Sequence, residues 1–103
     1  MTFMGIYLLT ALIIQENGAD VAVGIDERNG KYGFEIYGII REKYRAHLTS
    51  EGLYDSEEIA EIEGRKTLDS ILSLDLRKKR KELNEILGEE KEMIGKIIEA
   101  SEE

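Results

Sequence analysis

Two Asn-Gly pairs, Asn17-Gly18 and Asn29-Gly30, bracket a ten-residue run, ADVAVGIDER, rich in β-branched side chains. Asn-Gly between such runs is the strongest local signal for a two-residue hairpin turn, because both turn positions need positive φ. A turn at Asn29-Gly30 pairs Arg28 with Lys31, and further out Ile25 with Phe34, Val23 with Ile36 and Val21 with Gly38. A turn at Asn17-Gly18 pairs Ile14 with Val21, Leu12 with Val23 and Thr10 with Ile25. Side chains alternate along a strand, so both turns place Val21, Val23 and Ile25 on one face with apolar neighbours on either side. A slip of one residue in either hairpin destroys that agreement. The shared register predicts a three-stranded antiparallel meander over residues 4–40.

The second face of this meander is also apolar. It holds Tyr7, Leu9, Ala11, Ile13, Ala22, Gly24, Tyr37 and Ile39. A first strand apolar on both sides is the pattern of a strand covered on both faces. A helix over residues 3–14 is the alternative, since a short apolar run is not typed by periodicity alone. The run Met4–Ile14 is well short of the roughly 20 residues that span a bilayer. No Lys or Arg precedes residue 28, so the basic flank of an export signal is missing. The expectation is a cytoplasmic protein with no membrane association.

Beyond Ile40 the spacing changes. Ile40, Tyr44 and Leu48 recur at helical intervals, which predicts a short helix over 41–50. Asp55 as N-cap with Glu58 three residues on, and Tyr54 against Ile59, form a capping box with a hydrophobic staple. A helical region is therefore expected over 55–101, passing an unfavourable Gly64, with a possible break near 73–75. Leu76, Leu83, Ile86, Leu87, Met93, Ile94, Ile97 and Ile98 form its apolar stripe. Heptad counting from Leu76 meets Glu90, so a coiled coil is not required. The predicted fold class is α+β in a single domain over 1–103: a three-stranded antiparallel β-meander followed by two or three α-helices packed on the sheet.

The chain has 103 residues and a formal net charge of −8, a balance that opposes general attraction to nucleic acid or anionic lipid. It has no cysteine and a single histidine, so disulfides, thiolate chemistry and the usual zinc ligand sets are excluded. High Glu, Lys and Ile without Pro or Cys leans toward a thermophilic composition. Glycine-rich nucleotide signatures are absent, because the segment Gly64-Arg65-Lys66-Thr67 lacks the earlier glycine and preceding strand of a phosphate loop. No cofactor and no metal site are expected.

Few residues invite chemistry. VAVGIDERNGKYGFEI, a hydrophobic strand ending in Asp, a Gly-containing turn and a second hydrophobic strand, resembles the opening hairpin of ribonuclease-H-like nucleases and sugar-kinase ATPases. That resemblance covers sixteen residues and implies a divalent-metal role for Asp26. In those families the Asp-bearing strand opens the fold and later acids lie on parallel strands, whereas here another strand precedes it. Glu35 falls on the same face as Asp26 and supplies a second oxygen ligand for Mg²⁺. His47 is the other candidate for acid–base work, expected on a helix beside Lys43 and Tyr44.

Arg77, Lys78, Lys79, Arg80 and Lys81 form a basic block able to meet phosphates. Helical geometry spreads them around more than one turn, and Lys78–Glu82 and Lys81–Glu85 pair at i, i+4. Tyr32 and Tyr37 fall on opposite faces of their strand and cannot share a stacking platform. The expected interaction surface comprises Leu9, Ile13 and Tyr37 on the sheet and Leu83, Leu87, Ile94, Ile97 and Ile98 on the C-terminal stripe. The functional expectation is a small acidic, non-enzymatic interaction, regulatory or assembly protein acting as a homodimer or other homo-oligomer, with a further protein partner possible. The alternatives are a nucleic-acid-associated protein using 77–81 and a metal-dependent nuclease or phosphoryl-transfer enzyme centred on Asp26.

Overall fold

A computed structural model describes residues 8–16 and 18–99, with the side chains of 12–15 and 18–99. Tyr7, Asn17 and the segment from residue 4 expected to open the first strand lie outside the described residues, as do the last two residues, 100 and 101, of the expected helical region. The elements run β1 (Leu8–Glu16), β2 (Ala19–Arg28), β3 (Lys31–Ile40), β4 (Tyr44–Ser50), α1 (Glu57–Leu72), α2 (Leu76–Glu89) and β5 (Met93–Glu99). All five strands form one antiparallel sheet in the order β1-β2-β3-β4-β5. Among the described residues the class is α+β with two helices, and the sheet has five strands where three were expected.

Both hairpins adopt the shared register. Ile14 faces Val21, Leu12 faces Val23 and Thr10 faces Ile25, with an irregularity between Leu8 and Thr10. Arg28 faces Lys31 through to Val21 facing Gly38. Asn29 and Gly30 turn with φ of 53° and 84°, the left-handed pair that a type I′ turn demands. Val21, Val23, Ile25, Phe34 and Ile36 are almost wholly buried and join the helices in one core.

The helix expected over 41–50 is instead β4, and the end of the expected helical region is β5. An interval of four is even, so Ile40, Tyr44 and Leu48 share a side of a strand as readily as a side of a helix. Ala46 and Ser50 break the tie. They extend the buried set to Tyr44, Ala46, Leu48 and Ser50, alternating with exposed or half-buried Arg45, His47 and Thr49. In β5, Met93 and Ile97 point into the core while Ile94 and Ile98 point away. Gly95 holds φ of 108°, and a Cβ there lies 2.0 Å from the His47 carbonyl oxygen, so only glycine fits this approach of β5 to β4.

Both helices pack on the face carrying Val23 and Leu48, contributing Ala60, Leu68, Ile71, Leu76, Leu83 and Leu87 to the core. The N-cap of α1 is Ser56, whose Oγ accepts from the Ile59 N–H, one residue later than the expected Asp55. Asp55 pairs instead with Lys31, and Tyr54 stacks on Phe34 at 6.1 Å and bridges to Tyr32 in place of a staple. Between the helices, Ser73 closes α1 and Asp75 caps α2 through the Arg77 N–H. The Arg41 guanidinium donates to the carbonyls of Leu72 and Leu74, supplying a cation where α1 leaves carbonyls without helical partners.

Two side-chain choices fix the layers. Gly64 is buried against the sheet, and a Cβ there lies 2.9 Å from Val23 Cγ1 and 3.1 Å from Phe34 Cγ. The residue that looked unhelpful for a helix is what lets α1 approach. Asn84 of α2 donates to the Ile97 carbonyl at 2.8 Å and accepts from the Ile97 N–H at 2.9 Å. Its amide thus stands in for a sixth strand on the exposed edge of β5. No helix among the described residues is long and apolar enough to cross a membrane.

Gly64→Ala is expected to lower stability by about 1–3 kcal/mol through overpacking, although alanine favours an isolated helix by about 1 kcal/mol. Urea unfolding measures the difference, and a stabilised variant contradicts the close approach of α1.

Candidate functional site

Because both helices lie on one side, no described element packs on the other face of the sheet. Register makes that face a grid. One row across the strands reads Ile13, Ala22, Tyr37, His47 and Lys96, and the next reads Gln15, Asp20, Ile39, Arg45 and Ile98. Beyond the first row lie Gly24, Glu35, Thr49 and Ile94. Ile13 is 61% exposed, Ile94 58% and Tyr37 37%. Solvent-facing sheet surfaces ordinarily alternate to polar side chains, so these exposed large apolar groups require an explanation.

The expected interaction residues divide by face. Ile13, Tyr37 and Ile94 stand on the open face, and Ile98 is half-buried there. Leu83, Leu87 and Ile97 are buried in the chain's own core and have no surface to offer a partner. Their spacing in the sequence fits one helical stripe, but β5 puts Ile97 opposite Ala46 while Leu83 and Leu87 belong to α2. The side chain of Leu9 lies outside the described residues. The face also carries residues that sequence reasoning passed over, Arg45 and Thr49, because their segment was expected to be helical. The alternation of charged and apolar residues from Tyr44 to Ser50 was the signal that could have found them.

Asp26 has a structural commitment. Its side chain is fully buried at the end of β2, and the Arg28 guanidinium grips it as a fork, Nε to Oδ1 at 2.6 Å and Nη2 to Oδ2 at 3.0 Å. The third nitrogen, Nη1, donates to the Ser50 carbonyl at 2.9 Å, and the Ser50 Oγ accepts from the Phe34 N–H at 2.9 Å. Gly33 makes room, since a Cβ there lies 2.7 Å from Nη2. The Gly-containing turn that resembled a nuclease hairpin therefore holds an ion pair that stitches β2 to the end of β4. A divalent cation at Asp26 would have to displace a bidentate guanidinium. Glu35 lies across from Gly24, while Asp26 lies across from Gly33. Among the described residues, no three His, Asp or Glu side chains gather as a metal-ion cluster.

His47 is exposed on β4, between Tyr37 and Lys96, rather than on a helix beside Lys43. The basic block is dispersed by its contacts. Arg77 pairs with Asp75 at 3.4 Å, Lys79 with Glu82 at 3.7 Å and Arg80 with Glu99 at 3.2 Å, while Lys78 and Lys81 are exposed. Comparison with protein-family models, with curated proteins and with solved structures returned no match for this chain.

Two measurements check this site. Arg28→Ala strands the buried Asp26 carboxylate and is expected to cost about 3 kcal/mol, the low end for a broken buried pair because Arg28 keeps some exposure; urea unfolding reads it. The Asp55 and Asp75 carboxyls are held below the usual carboxylate range, by hydrogen bonds from Lys31 and from Arg77 respectively. A depressed folded pKa means that each contributes stability above the unfolded value, lost as pH falls through the folded value. NMR titration of Asp75 is expected to give a midpoint below the ordinary aspartate range that rises in Arg77→Gln.

Proposed function

We propose that this chain is a non-enzymatic assembly or interaction protein that forms a homodimer through its open sheet face. The observation that carries this reading is the exposure of Ile13, Tyr37 and Ile94 across a surface on which no described element packs. Five strands at about 4.8 Å and seven residues at about 3.3 Å span a patch of roughly 550 Å² in projection. That is the scale of one side of a standard interface, about 800 Å² of accessible surface per partner.

Charge supports a second copy over an acidic or basic partner. The open-face positions of the strands carry three carboxylates, Asp20, Asp26 and Glu35, against four cations, Arg28, Lys31, Arg45 and Lys96. The outer surface of α1 carries a clear excess of acid, so two copies repel less across this face than across that helix. A two-fold axis along β3 lays β2 of one copy over β4 of the other. Asp20 then meets the partner's Arg45, and Tyr37 meets its own copy, as self-complementary interfaces require. Nucleic-acid binding through residues 77–81 and metal chemistry at Asp26 are not proposed, because the first set is spread over several contacts and the second is held by Arg28.

Light scattering is expected to give about twice the chain mass of 11.7 kDa. Ile13→Lys or Ile94→Lys should halve it, whereas Ile62→Lys on the exposed side of α1 should not. Glu35 sits on the central strand and meets its own copy under this axis, so Glu35→Gln is expected to tighten the dimer. A wild-type monomer at high concentration overturns the reading.

A further inference from the structure

The two outer strands of the sheet, β1 and β5, are protected unequally. In an antiparallel ladder, successive residues of a strand turn their N–H and C=O alternately toward one neighbour and toward the other. The residues flanking each two-residue turn, Glu16 with Ala19 and Arg28 with Lys31, begin their ladders as bonded pairs. Counting on from them along the register turns Ile97 of β5 outward, which is where Asn84 takes both of its backbone groups. Tyr32 likewise turns away from β2, and it exchanges backbone bonds with Tyr54 at 2.9 and 2.7 Å. The same count turns the N–H and C=O of Ala11, Ile13 and Gln15 outward on β1, where no described element pairs with them. Proteins ordinarily blunt such an edge with charge, proline or a bulge. The one irregularity of β1 lies between Leu8 and Thr10, and no charged residue or proline occurs from Leu8 to Gln15. The regular edge over residues 10–16 is about 23 Å long.

The surroundings of that edge define what an added strand must carry. α1 packs chiefly on β2 and β3, and a groove of about 460 Å³ runs between it and β1. Leu12 lines the β1 side, and Glu58, Glu61, Ile62, Arg65 and Lys66 line the α1 side. Both of these cations are engaged, Arg65 by Asp69 at 3.3 Å and Lys66 by Glu63 at 3.5 Å. Glu58 and Glu61 are left to set the charge of the groove. On the other side of β1, Ile13 stands exposed. A further strand therefore places alternate side chains beside Ile13 and the rest between Leu12 and the α1 carboxylates.

We propose that the free edge of β1 binds an extended segment of a partner protein as a sixth, antiparallel strand in which apolar residues alternate with lysine or arginine. Its main chain pairs with Ala11, Ile13 and Gln15, the source of affinity in strand addition. Its apolar side chains sit beside Ile13. Its cationic side chains lay their stems along Leu12 and bring their heads to Glu58 and Glu61. The added strand lies outside the face-to-face dimer patch, so this site goes beyond that reading and does not depend on it.

The test is calorimetric titration of the full chain with a short peptide of alternating valine and lysine, blocked at both ends. Saturation below about 1 mM is expected. Directly paired residues share a side of the sheet, so the peptide's valines are the residues whose N–H groups turn toward β1. N-methylation of the valines should weaken binding about tenfold or more. N-methylation of as many lysines, which leaves mass and charge the same, should not. A valine–glutamate peptide should fail to saturate, and Glu61→Gln should weaken the lysine peptide about threefold. Ala11→Pro removes an outward donor and no bond to β2, the position at which an edge strand tolerates proline, and it should weaken binding at unchanged light-scattering mass. Ile94→Lys, expected to split the face dimer, should bind the peptide like the wild type, so the two readings fail separately. No saturation by the valine–lysine peptide up to about 1 mM, or equal losses from the two methylated peptides, overturns strand addition. Equal binding of the glutamate peptide overturns the cationic assignment. A mass that falls in Ala11→Pro means that a second copy holds the edge, and overturns the assignment of a separate partner.

Discussion

The parity of β2 is the constraint on which the rest of the structure depends. A turn at each end of the strand sends Val21, Val23 and Ile25 to one side and Ala22, Gly24 and Asp26 to the other. Once β2 is set, β1 and β3 inherit its sides, and β4 and β5 follow through their own pairings. Helices are then recruited to the side bearing the branched residues, because that is where apolar area is removed from water. Gly64 is the point at which this recruitment becomes close contact, and Asn84 is the point at which it also seals a sheet edge. The open face is what is left when one side has taken both helices.

The hairpins were legible because their signal is local. Asn-Gly fixes a turn type, and a turn type fixes a register, with no need to know what packs above. The strands β4 and β5 were not legible for the opposite reason. Residues spaced by four satisfy both periodicities, so Ile40, Tyr44 and Leu48, or Met93 and Ile97, leave the choice to partners far away in sequence. β5 forms because β4 offers it an edge and Gly95 tolerates the approach, and neither fact is visible in MIGKIIE alone. The same limit explains the mistaken stripe. Leu83, Leu87 and Ile97 do cover one core, but from a helix and a strand rather than from one helix.

The candidate site shows a similar division. The hairpin register places Ile13 and Tyr37 on the second sheet face, whereas Ile94 stands out in the sequence by its apolarity alone. Asp26 was singled out by a pattern it does satisfy, a strand ending in Asp before a Gly-containing turn. What the pattern lacked was Arg28, two residues on and on the same face, and Ser50, which arrives from β4 to take the third nitrogen. An acidic residue at a strand end is ambiguous until its cation is known, and here that cation lies within the motif.

Charge gives the two faces of the molecule different possibilities. The helices carry much of the acid, with Glu57, Glu58, Glu61, Glu63 and Asp69 on α1 and Glu82, Glu85 and Glu89 on α2. On α1 these acids outnumber Arg65 and Lys66, so its outer surface repels anions and further copies of the chain, whereas on α2 Arg77, Lys78, Lys79, Arg80 and Lys81 outnumber the acids. Two places escape that field. One is the open sheet face, where carboxylates and cations nearly balance, and the other is the rim where Arg41, Lys43 and Arg77 meet. Tyr44 and Arg45 are neighbours on β4 and point to opposite sides, one into the core beneath the helices and one across the open face. The open face can therefore be covered without disturbing the core that lies beneath the helices.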